Sequence, residues 1–382
     1  MATSDATSNM ERGAARSELS QDAAALNLME FWEERAALEL LQPRQSADPC
    51  LWRWKDIEPR LHRAAEIVPL EEAERRALLF SNPGLAPRPF MTNTIFGAYS
   101  LYNPGEHAPV HRHTPSASRM LLEGEGAYTT VEGEKCTMHR GDLILTPNGT
   151  WHDHGNDGDG PIIWMDVLDL PLVENLNSTV FEFDYFEEDA QSNTREPVQR
   201  TTQSVVHPDD HSQNLYSGGG YKPLFIDRER GAKGDHSPMF VYRADQTREQ
   251  LDRLRNYDGS PYDGIIIEFC DPTTGASVMP TLSYTAQLLR PGEHTRAHRH
   301  TANAVYCVME GSGYTQIGDT RLDWSRNDAF CAPAWMWHEH VNRSSTDDVV
   351  LYSVTDVPTL KKLGLYREEC RMDDGEEVLV TK

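Results

Sequence analysis

Eleven of the fifteen histidines fall into two stretches of the chain, residues 107–154 and 294–340. In the first stretch, His111 and His113 are two positions apart, so on a β-strand both imidazoles would point to the same face. His152 follows 39 residues after His113, and a hairpin between them would bring a third imidazole back to that face. Neutral imidazoles bind Fe, Zn, Cu or Ni, and three ligands on one side leave coordination positions open for reactants. The spacing therefore predicts a reactive metal centre.

The two histidine-rich stretches are copies of one another. The segment PGEHAPVHRHTPSASRMLLEGEG begins at Pro104, and PGEHTRAHRHTANAVYCVMEGSG begins at Pro291, an offset of 187 residues. Further along, PNGTWHDHGN from Pro147 matches PAWMWHEHVN from Pro333 at an offset of 186 residues. Self-similarity at a fixed offset indicates a duplicated structural unit.

Short apolar or alternating runs, separated by glycine, proline and Asp-Gly turns, predict that each copy consists of β-strands. We therefore predict two jelly rolls, one over residues 86–185 and one in residues 271–382, which include a tail. Residues 1–85 should form a polar tail followed by an amphipathic helix over 20–42 and a second helix over 71–80. Residues 186–270 are polar and rich in helix breakers, and we expect a connector that wraps the neighbouring domain or subunit.

The composition excludes several classes of function. The chain has 36 lysines and arginines against 60 aspartates and glutamates, a formal net charge of −24, which argues against nucleic acid or anionic lipid as the main partner. No apolar run approaches the roughly 18 residues of a membrane span. The six cysteines are dispersed without a CxxC pair, so neither a disulfide framework nor a thiolate metal site is expected. The polar N-terminus lacks a secretory signal, which makes the cytoplasm the expected compartment.

Two motifs around the histidines resemble those of the cupin superfamily. The first, G-x5-H-x-H-x3-E-x6-G, is matched by Gly105, His111, His113 and Gly124, with Ala117 at the glutamate position. The second, G-x5-P-x-G-x2-H-x3-N, is matched in full by Gly141, Pro147, Gly149, His152 and Asn156. Loss of the glutamate leaves an all-histidine site, and over residues 20–375 the chain resembles gentisate 1,2-dioxygenase and its salicylate- and hydroxynaphthoate-cleaving relatives. The resemblance implies an all-β bicupin, two double-stranded β-helix jelly rolls with N-terminal helices.

The resemblance also implies the reaction. It would be a ring cleavage by O2 with Fe(II) held by His111, His113 and His152, between the ring carbons that bear the carboxylate and the hydroxyl. Gentisate would give maleylpyruvate; salicylate, substituted salicylates and 1-hydroxy-2-naphthoate are the alternative aromatic hydroxy acids. Three neutral ligands keep the site at +2, which suits a dianionic chelating substrate. A homotetramer or dimer is implied as well.

Comparison of the two copies separates candidate catalytic residues from structural ones. Asp169 has a counterpart in Asp356 and is expected to be structural, whereas Arg119 and Asp166 have no like residue in the second copy. The resemblance implies that Arg119 faces the substrate or O2, with Asp166 and His154 close by. Arg119 would then bind a carboxylate through two hydrogen bonds or stabilise negative charge. Asp166 and His154 would transfer the phenolic proton. A structural ion pair between Arg119 and Asp166 is the alternative.

Further substrate-binding residues are implied upstream. An arginine from the segment before the first cupin binds the carboxylate in the family, and Arg75 and Arg76 are the candidates; the alternative is solvated charges on a helix. Phe96, Ala98 and Ser100 occupy the first inward strand, where salicylate-cleaving relatives tend to have Trp, Gly and Gln. That departure favours gentisate.

The second histidine cluster presents an open question. His298, His300 and His338 repeat the ligand spacing, so a second metal is possible on geometry alone. However, Asn327 and Trp335 replace the two motif glycines, and we expect Trp335 to fill the pocket. The second copy is therefore predicted to be degenerate and without catalysis, while its metal occupancy stays open.

Two other classes of function compete with the dioxygenase. One is a metal-dependent cupin isomerase or hydrolase that uses Zn, Mn or Ni, since imidazoles accept these ions as well. The other is a non-catalytic storage or ligand-sensing bicupin. A complete metal triad accompanied by polar groups that the second copy lacks favours an enzyme.

Overall fold

The computed structural model forms two compact units, Met1–Arg44 and Gln45–Lys382. The residues it describes are 2–73, 75–183, 186–188, 195–197, 206–221, 223–224 and 235–381. Within these ranges, none of the helices has the length and apolar character needed to cross a membrane.

The N-terminal unit contains two helices, α1 (Ala2–Ala25) and α2 (Phe31–Leu38). The prediction of a polar tail followed by one helix over 20–42 was wrong. The helix is interrupted because Asn27 adopts φ +57°, a left-handed conformation that asparagine tolerates and that ends helices. Leu28 and Trp32, which the helical pattern assigned to an apolar face, are exposed.

The prediction of a helix over residues 71–80 was also wrong. After α3 (Trp54–Ile67), helix α4 is confined to Leu70–Ala73, and Ala77–Leu79 form strand β2. The apolar run can be helix or strand by propensity, but pairing with the strand Phe96–Tyr102 satisfies its backbone hydrogen-bonding groups at a sheet edge.

The two repeats fold as two cupins, each made of two facing antiparallel sheets. The strands of the first are β3 (Phe96–Tyr102), β4 (His107–His113), β5 (Ala117–Glu123), β6 (Ala127–Val131), β7 (Glu134–Thr137), β8 (Leu143–Thr146), β9 (His152–Asn156), β10 (Ile162–Leu168) and β11 (Phe181–Phe183), with helix α5 (Leu170–Asn175) between the last two. The strands of the second are β16 (Ser283–Leu289), β17 (His298–His300), β18 (Ala304–Glu310), β19 (Ser312–Ile317), β20 (Thr320–Ser325), β21 (Ala329–Ala332), β22 (His338–Asn342), β23 (Val349–Thr355), β24 (Glu368–Arg371) and β25 (Glu377–Thr381), with helix α8 (Val357–Lys362). The predicted all-β bicupin with N-terminal helices is confirmed.

Segments outside the repeats complete the sheets. The remaining elements are β1 (Cys50–Trp52), β12 (Phe186–Glu188), β13 (Arg195–Pro197), helix α6 (His211–Tyr216), β14 (Val241–Tyr242), helix α7 (Ala244–Leu254) and β15 (Ile265–Phe269). The first cupin has the sheet orders β14-β8-β5-β10-β3-β2 and β11-β4-β9-β6-β7, and the second has β1-β21-β18-β23-β16-β15 and β20-β19-β22-β17-β24-β25. Thus β1, which precedes the first cupin in the chain, belongs to the second. Residues 189–194, 198–205, 222 and 225–234 of the predicted connector lie outside the described residues.

Strands such as β5 are buried on both faces, which explains their nearly continuous apolar sequence. Arg119 and Leu121 face the lumen of the first cupin, whereas Met120 and Leu122 belong to a core shared by both cupins. Because side chains alternate along a strand, this register decides which residues can meet in the lumen.

Two aspartates at equivalent positions of the repeats, Asp169 and Asp356, join the two cupins reciprocally. Thr94 Oγ1 in the first cupin donates a hydrogen bond to Asp356 Oδ2 at 2.6 Å, and Thr281 Oγ1 at the start of the second donates to Asp169 Oδ2. The backbone N–H of Ser116 also donates to Asp169, at 2.7 Å. Both carboxylates are buried, so these bonds satisfy groups that would otherwise destabilise the fold.

We expect Asp169 to make stability depend on pH. Burial raises the pKa of Asp169 to about 6, above its ordinary value of 3.8, although Thr281 and Ser116 donate to it. The folded chain therefore holds this proton more tightly than the unfolded chain. The contribution of Asp169 to the free energy of unfolding should therefore fall, by on the order of 1–3 kcal/mol, as the pH rises from about 4 to about 6. Asp169→Asn should gain stability relative to wild type across this window in urea unfolding; a constant difference from pH 4 to 7 would contradict the assignment.

Candidate metal centre

Four histidines converge in the lumen of the first cupin. His111 and His113 lie on β4, His152 and His154 lie on β9, and all four are at most 2% exposed. The two strands pair with His111 opposite His152, and the ring centroids of these two are 4.3 Å apart. The His113 and His152 rings are 4.7 Å apart. The strand register therefore brings the three predicted ligands together.

Backbone carbonyl groups orient three of these rings. The contacts are His111 Nδ1 to Pro109 O at 2.7 Å, His113 Nδ1 to Pro115 O at 2.6 Å and His152 Nδ1 to Thr150 O at 2.8 Å. Because a carbonyl only accepts, each Nδ1 carries the proton and each Nε2 carries the lone pair. The buried Nε2 atoms of His113, His152 and His154 have no hydrogen-bond partner within the described part of the chain. Buried nitrogens of this kind fit a bound metal ion.

His154 is a fourth nitrogen at the same place. Ligand atoms of His111, His152 and His154 lie within 4.8 Å of one another, so the distances group His154, in place of His113, with the other two and define a second possible triad. His154 Nδ1 contacts the Thr129 hydroxyl at 3.1 Å rather than a carbonyl, so its tautomer is not fixed in the same way. In the second cupin, the clustered triad consists of the counterparts of His111, His113 and His152, which favours the predicted set.

The imidazoles are electrically neutral at neutral pH. Burial, as the main cause, lowers the pKa of His113 to about 4 and holds the pKa values of His111, His152 and His154 well below their usual range. The positive charges of two nearby arginines, Arg75 and Arg119, act in the same direction. A metal ion therefore has no protons to displace from these ligands.

Arg75 reaches this cluster. Its Nη2 lies 3.0 Å from His111 Nε2. Arg75 precedes β2 by two positions, and Ala77 pairs opposite the inward-facing Ser100, so alternation directs Arg75 into the lumen. In a helix, the side chain of Arg75 would not be directed into the lumen by this alternation.

Arg76, the other predicted candidate, points elsewhere. Its buried guanidinium forms an ion pair with Glu106 and donates to Val68 O at 3.2 Å. The structure therefore places Arg75, and not Arg76, at the imidazoles. Arg76 instead ties the chain before β2 to the loop before β4.

Arg119 lies in the same lumen and is held by Asp166. Arg119 Nε is 3.0 Å from Asp166 Oδ1, and Arg119 Nη1 donates to Thr146 Oγ1 at 3.1 Å. Asp166 Oδ2 accepts hydrogen bonds from Ser100 Oγ at 2.6 Å and Trp164 Nε1 at 2.9 Å. Burial lowers the pKa of Arg119 to about 10, which still leaves it charged at neutral pH. Both Asp166 oxygens are engaged, so this carboxylate orients Arg119.

The remaining predicted residues of the first inward strand differ in position. Ser100 contacts Asp166 directly, as described above. Ala98 is buried and lies opposite Asp166 in the β3–β10 ladder. Phe96 lies at the partly exposed start of β3, opposite Leu168.

Two aromatic residues at the site were missed by the sequence analysis. Phe181 and Phe183 on β11 lie opposite His113 and His111, with ring centroids 5.1 Å and 6.2 Å from those imidazoles. The alternation in Val-Phe-Glu-Phe was a usable signal for a strand with both aromatic rings on one face. The two rings form an apolar wall beside the histidines.

Comparison with known proteins identifies the family of this chain. The Cupin domain family model matches residues 98–168 and 286–355. Over 95% of this chain and 92% of the other, the chain is 38% identical to a 5-aminosalicylate 1,2-dioxygenase of Comamonas sp. It is 36% identical to gentisate 1,2-dioxygenase 1 of Aquipseudomonas alcaligenes, over 90% of this chain and 92% of that one. The chain belongs to the gentisate 1,2-dioxygenase family.

A solved member of this family has the same architecture. The salicylate 1,2-dioxygenase from Pseudoaminobacter salicylatoxidans, in an adduct with gentisate, superposes with a TM-score of 0.81 at 28% identity, covering 93% of this chain and 94% of that one. As a member of the gentisate 1,2-dioxygenase family, the chain is a ring-cleaving oxidoreductase, and a metal centre is implied. The isomerase, hydrolase and storage hypotheses are thereby set aside.

The second cupin lacks the pair formed by Arg119 and Asp166. Tyr306 takes the position of Arg119, and Ser353 takes that of Asp166. Asn327 and Trp335 keep the left-handed backbone of the glycines they replace, with φ +68° and +61°. The expectation that Trp335 fills the pocket was wrong: its ring packs under Arg299, which alternates with the histidines on β17 and points away from them.

We predict that two single substitutions separate the two possible triads. His113→Ala should remove one metal equivalent per chain, as should His111→Ala and His152→Ala, because a ligand is lost. His154→Ala should keep the full metal content while losing activity. Metal per chain is measured by mass spectrometry after reconstitution with Fe(II) and desalting. Retention of metal by His113→Ala together with loss by His154→Ala would assign the other triad.

Proposed function

We propose that this chain is an Fe(II)-dependent gentisate 1,2-dioxygenase that opens the ring between the carbons bearing the carboxylate and the hydroxyl, giving maleylpyruvate. The observation that carries the proposal is that one lumen combines three neutral imidazoles with two guanidinium groups. The imidazoles bind a divalent ion without cancelling its charge, and the guanidiniums favour an anionic chelating substrate. The cytoplasmic location and the homo-oligomeric state remain predictions.

In this proposal His111, His113 and His152 hold the metal. A bound Fe(II) ion supplies Lewis acidity toward the chelating oxygens of the substrate and the one-electron chemistry by which O2 reacts. The carbonyl bonds at the three Nδ1 atoms leave the Nε2 lone pairs available to the ion, and Arg75, which lies 3.0 Å from His111 Nε2, would withdraw from that lone pair when the ion binds.

The surrounding side chains bind and orient the substrate. Arg75, beside His111, pairs with the substrate carboxylate through its planar guanidinium group. Phe181 and Phe183 pack against the aromatic ring. Arg119 stabilises negative charge that develops as the ring is attacked. His154, buried and neutral, accepts the phenolic proton at Nε2.

A substituted salicylate is the second candidate. The 38% identical relative is a 5-aminosalicylate 1,2-dioxygenase, and 5-aminosalicylate differs from gentisate only in carrying an amino group where gentisate has the ring-5 hydroxyl. Both groups donate hydrogen bonds and activate the ring. Salicylate and 1-hydroxy-2-naphthoate lack a donor there, so we expect them to be poorer substrates.

The substrate is tested by oxygen uptake. Protein loaded anaerobically with Fe(II) is offered gentisate, 5-aminosalicylate, salicylate and 1-hydroxy-2-naphthoate in parallel, and the product absorbance is followed. We expect the highest kcat/KM with gentisate and one O2 consumed per ring opened. Preference for 5-aminosalicylate would transfer the assignment to the second candidate. No uptake with any of the four, at one iron per first-cupin site, would contradict the proposed function.

A double-mutant cycle tests the role given to Asp166. Arg119→Ala should lower kcat by about 100-fold or more with the metal retained, because a preorganised charge is lost. Asp166→Asn should lower kcat by about 10-fold, since it misplaces Arg119. If Asp166 acts only through Arg119, the double variant should be no slower than Arg119→Ala. If the losses in kcat multiply in the double variant, Asp166 has a role of its own. Glu174→Gln, which breaks a surface ion pair with Arg88, serves as the control.

A further inference from the structure

The second cupin contains its own buried triad. His298 and His300 on β17 and His338 on β22 are 4%, 9% and 2% exposed, and a ligand atom of each lies within 4.8 Å of the others. The ring centroids of His298 and His338 are 4.4 Å apart, close to the 4.3 Å between their counterparts in the first cupin.

Two of the three rings are oriented as in the first cupin. His300 Nδ1 contacts Ala302 O at 2.8 Å, and His338 Nδ1 contacts Met336 O at 3.0 Å, so both rings present a lone pair at Nε2. His298 Nε2 faces His338 Nε2 at 2.8 Å. At this distance His298 Nε2 donates a hydrogen bond to the lone pair of His338 Nε2, and a metal ion bound between the two rings would replace that proton and accept both lone pairs.

The remaining nitrogen faces a carboxylate. His298 Nδ1 is buried without a hydrogen-bond partner within the described residues, and Glu368 Oε1 lies 4.0 Å from it. Glu368 is on β24 opposite His300, and Tyr366 donates to its other oxygen at 3.0 Å. A carboxylate behind a metal-binding histidine raises the basicity of that ligand.

The charges around the second triad are opposite to those around the first. Glu368 is the counterpart of Phe181 at the offset of 187, and the partly buried Asp263 lies close enough to interact with His300 and Glu368. Tyr306 takes the place of Arg119. Carboxylates favour a cation and oppose an anionic substrate, the reverse of the first lumen.

We propose that His298, His300 and His338 bind a second divalent transition-metal ion, with Glu368 positioning His298, and that this ion is structural. Strand β17 is three residues long and pairs with β22 through a single residue pair, His298 with His338. A metal held by both strands adds the cross-link that this short ladder lacks. Through Glu368 the same site is coupled to β24.

The stoichiometry of metal binding tests the proposal. Chelator-stripped full-length chain is reconstituted with Zn(II) or Co(II), desalted and analysed for metal. Wild type should bind two ions per chain, and His152→Ala and His338→Ala, at equivalent positions of the two cupins, should each bind one. His294→Ala is the matched control, because this half-exposed histidine pairs with Glu339 on the surface and should leave two ions bound. One ion per chain in wild type, unchanged by His338→Ala, would overturn the proposal.

Two further variants guard against misfolding. Glu368→Gln keeps the shape of the side chain and should weaken the second ion by about 10- to 100-fold without changing the first. In the His152→Ala background, Zn(II) should raise the melting temperature by about 5 °C, and adding His338→Ala should abolish that rise. No effect of Zn(II) in the His152→Ala background would rule out a structural ion.

These results are independent of the substrate assignment. Two bound ions with no turnover of any aromatic acid would contradict the proposed function and leave the second site intact. Gentisate turnover with only one ion bound per chain would contradict the second metal site and leave the proposed function intact.

Discussion

The site depends on one constraint, the burial of the cupin strands on both faces. Strands β3, β5 and β10 place alternate residues in the shared core between the cupins, and that packing fixes their register. Every polar side chain on the opposite face must then find a partner in the lumen. Arg119, Asp166, Ser100 and Trp164 satisfy one another in this way. A charged group can be kept rigid and dehydrated there because the apolar face of the same strand cannot shift.

The duplication shows how one frame supports two electrostatic environments. Backbone carbonyls orient two histidines at equivalent positions in both lumens, so the geometry for binding a cation is inherited. The groups around it have diverged, with arginines and phenylalanines beside one triad and carboxylates and tyrosines beside the other. The two lumens therefore share their candidate metal ligands and differ in the charge of the residues around them.

The sequence was sufficient for those parts of the fold that depend on short-range pattern. The histidine spacing and the offset of 187 predicted the paired strands and the convergence of His111, His113 and His152. The sequence pattern did not decide the conformation of segments that are compatible with both helix and strand. Residues 77–79 suit helix or strand, and only the free edge of β3 decides, which is why Arg75 and Arg76 could not be separated. The helix break at Asn27 likewise depends on a left-handed backbone conformation, which the periodicity of apolar residues does not reveal.

The reciprocal bonds between Thr94 and Asp356 and between Thr281 and Asp169 have a consequence for how the chain can change during evolution. Each cupin supplies a hydrogen-bond donor that the other needs, and β1 crosses from one side of the duplication to the other. Loss of the second cupin would leave the buried carboxylate of Asp169 without its Thr281 donor and would uncover the shared core that packs against β5. Retention of the first cupin therefore also preserves the second, whose lumen is left free to specialise.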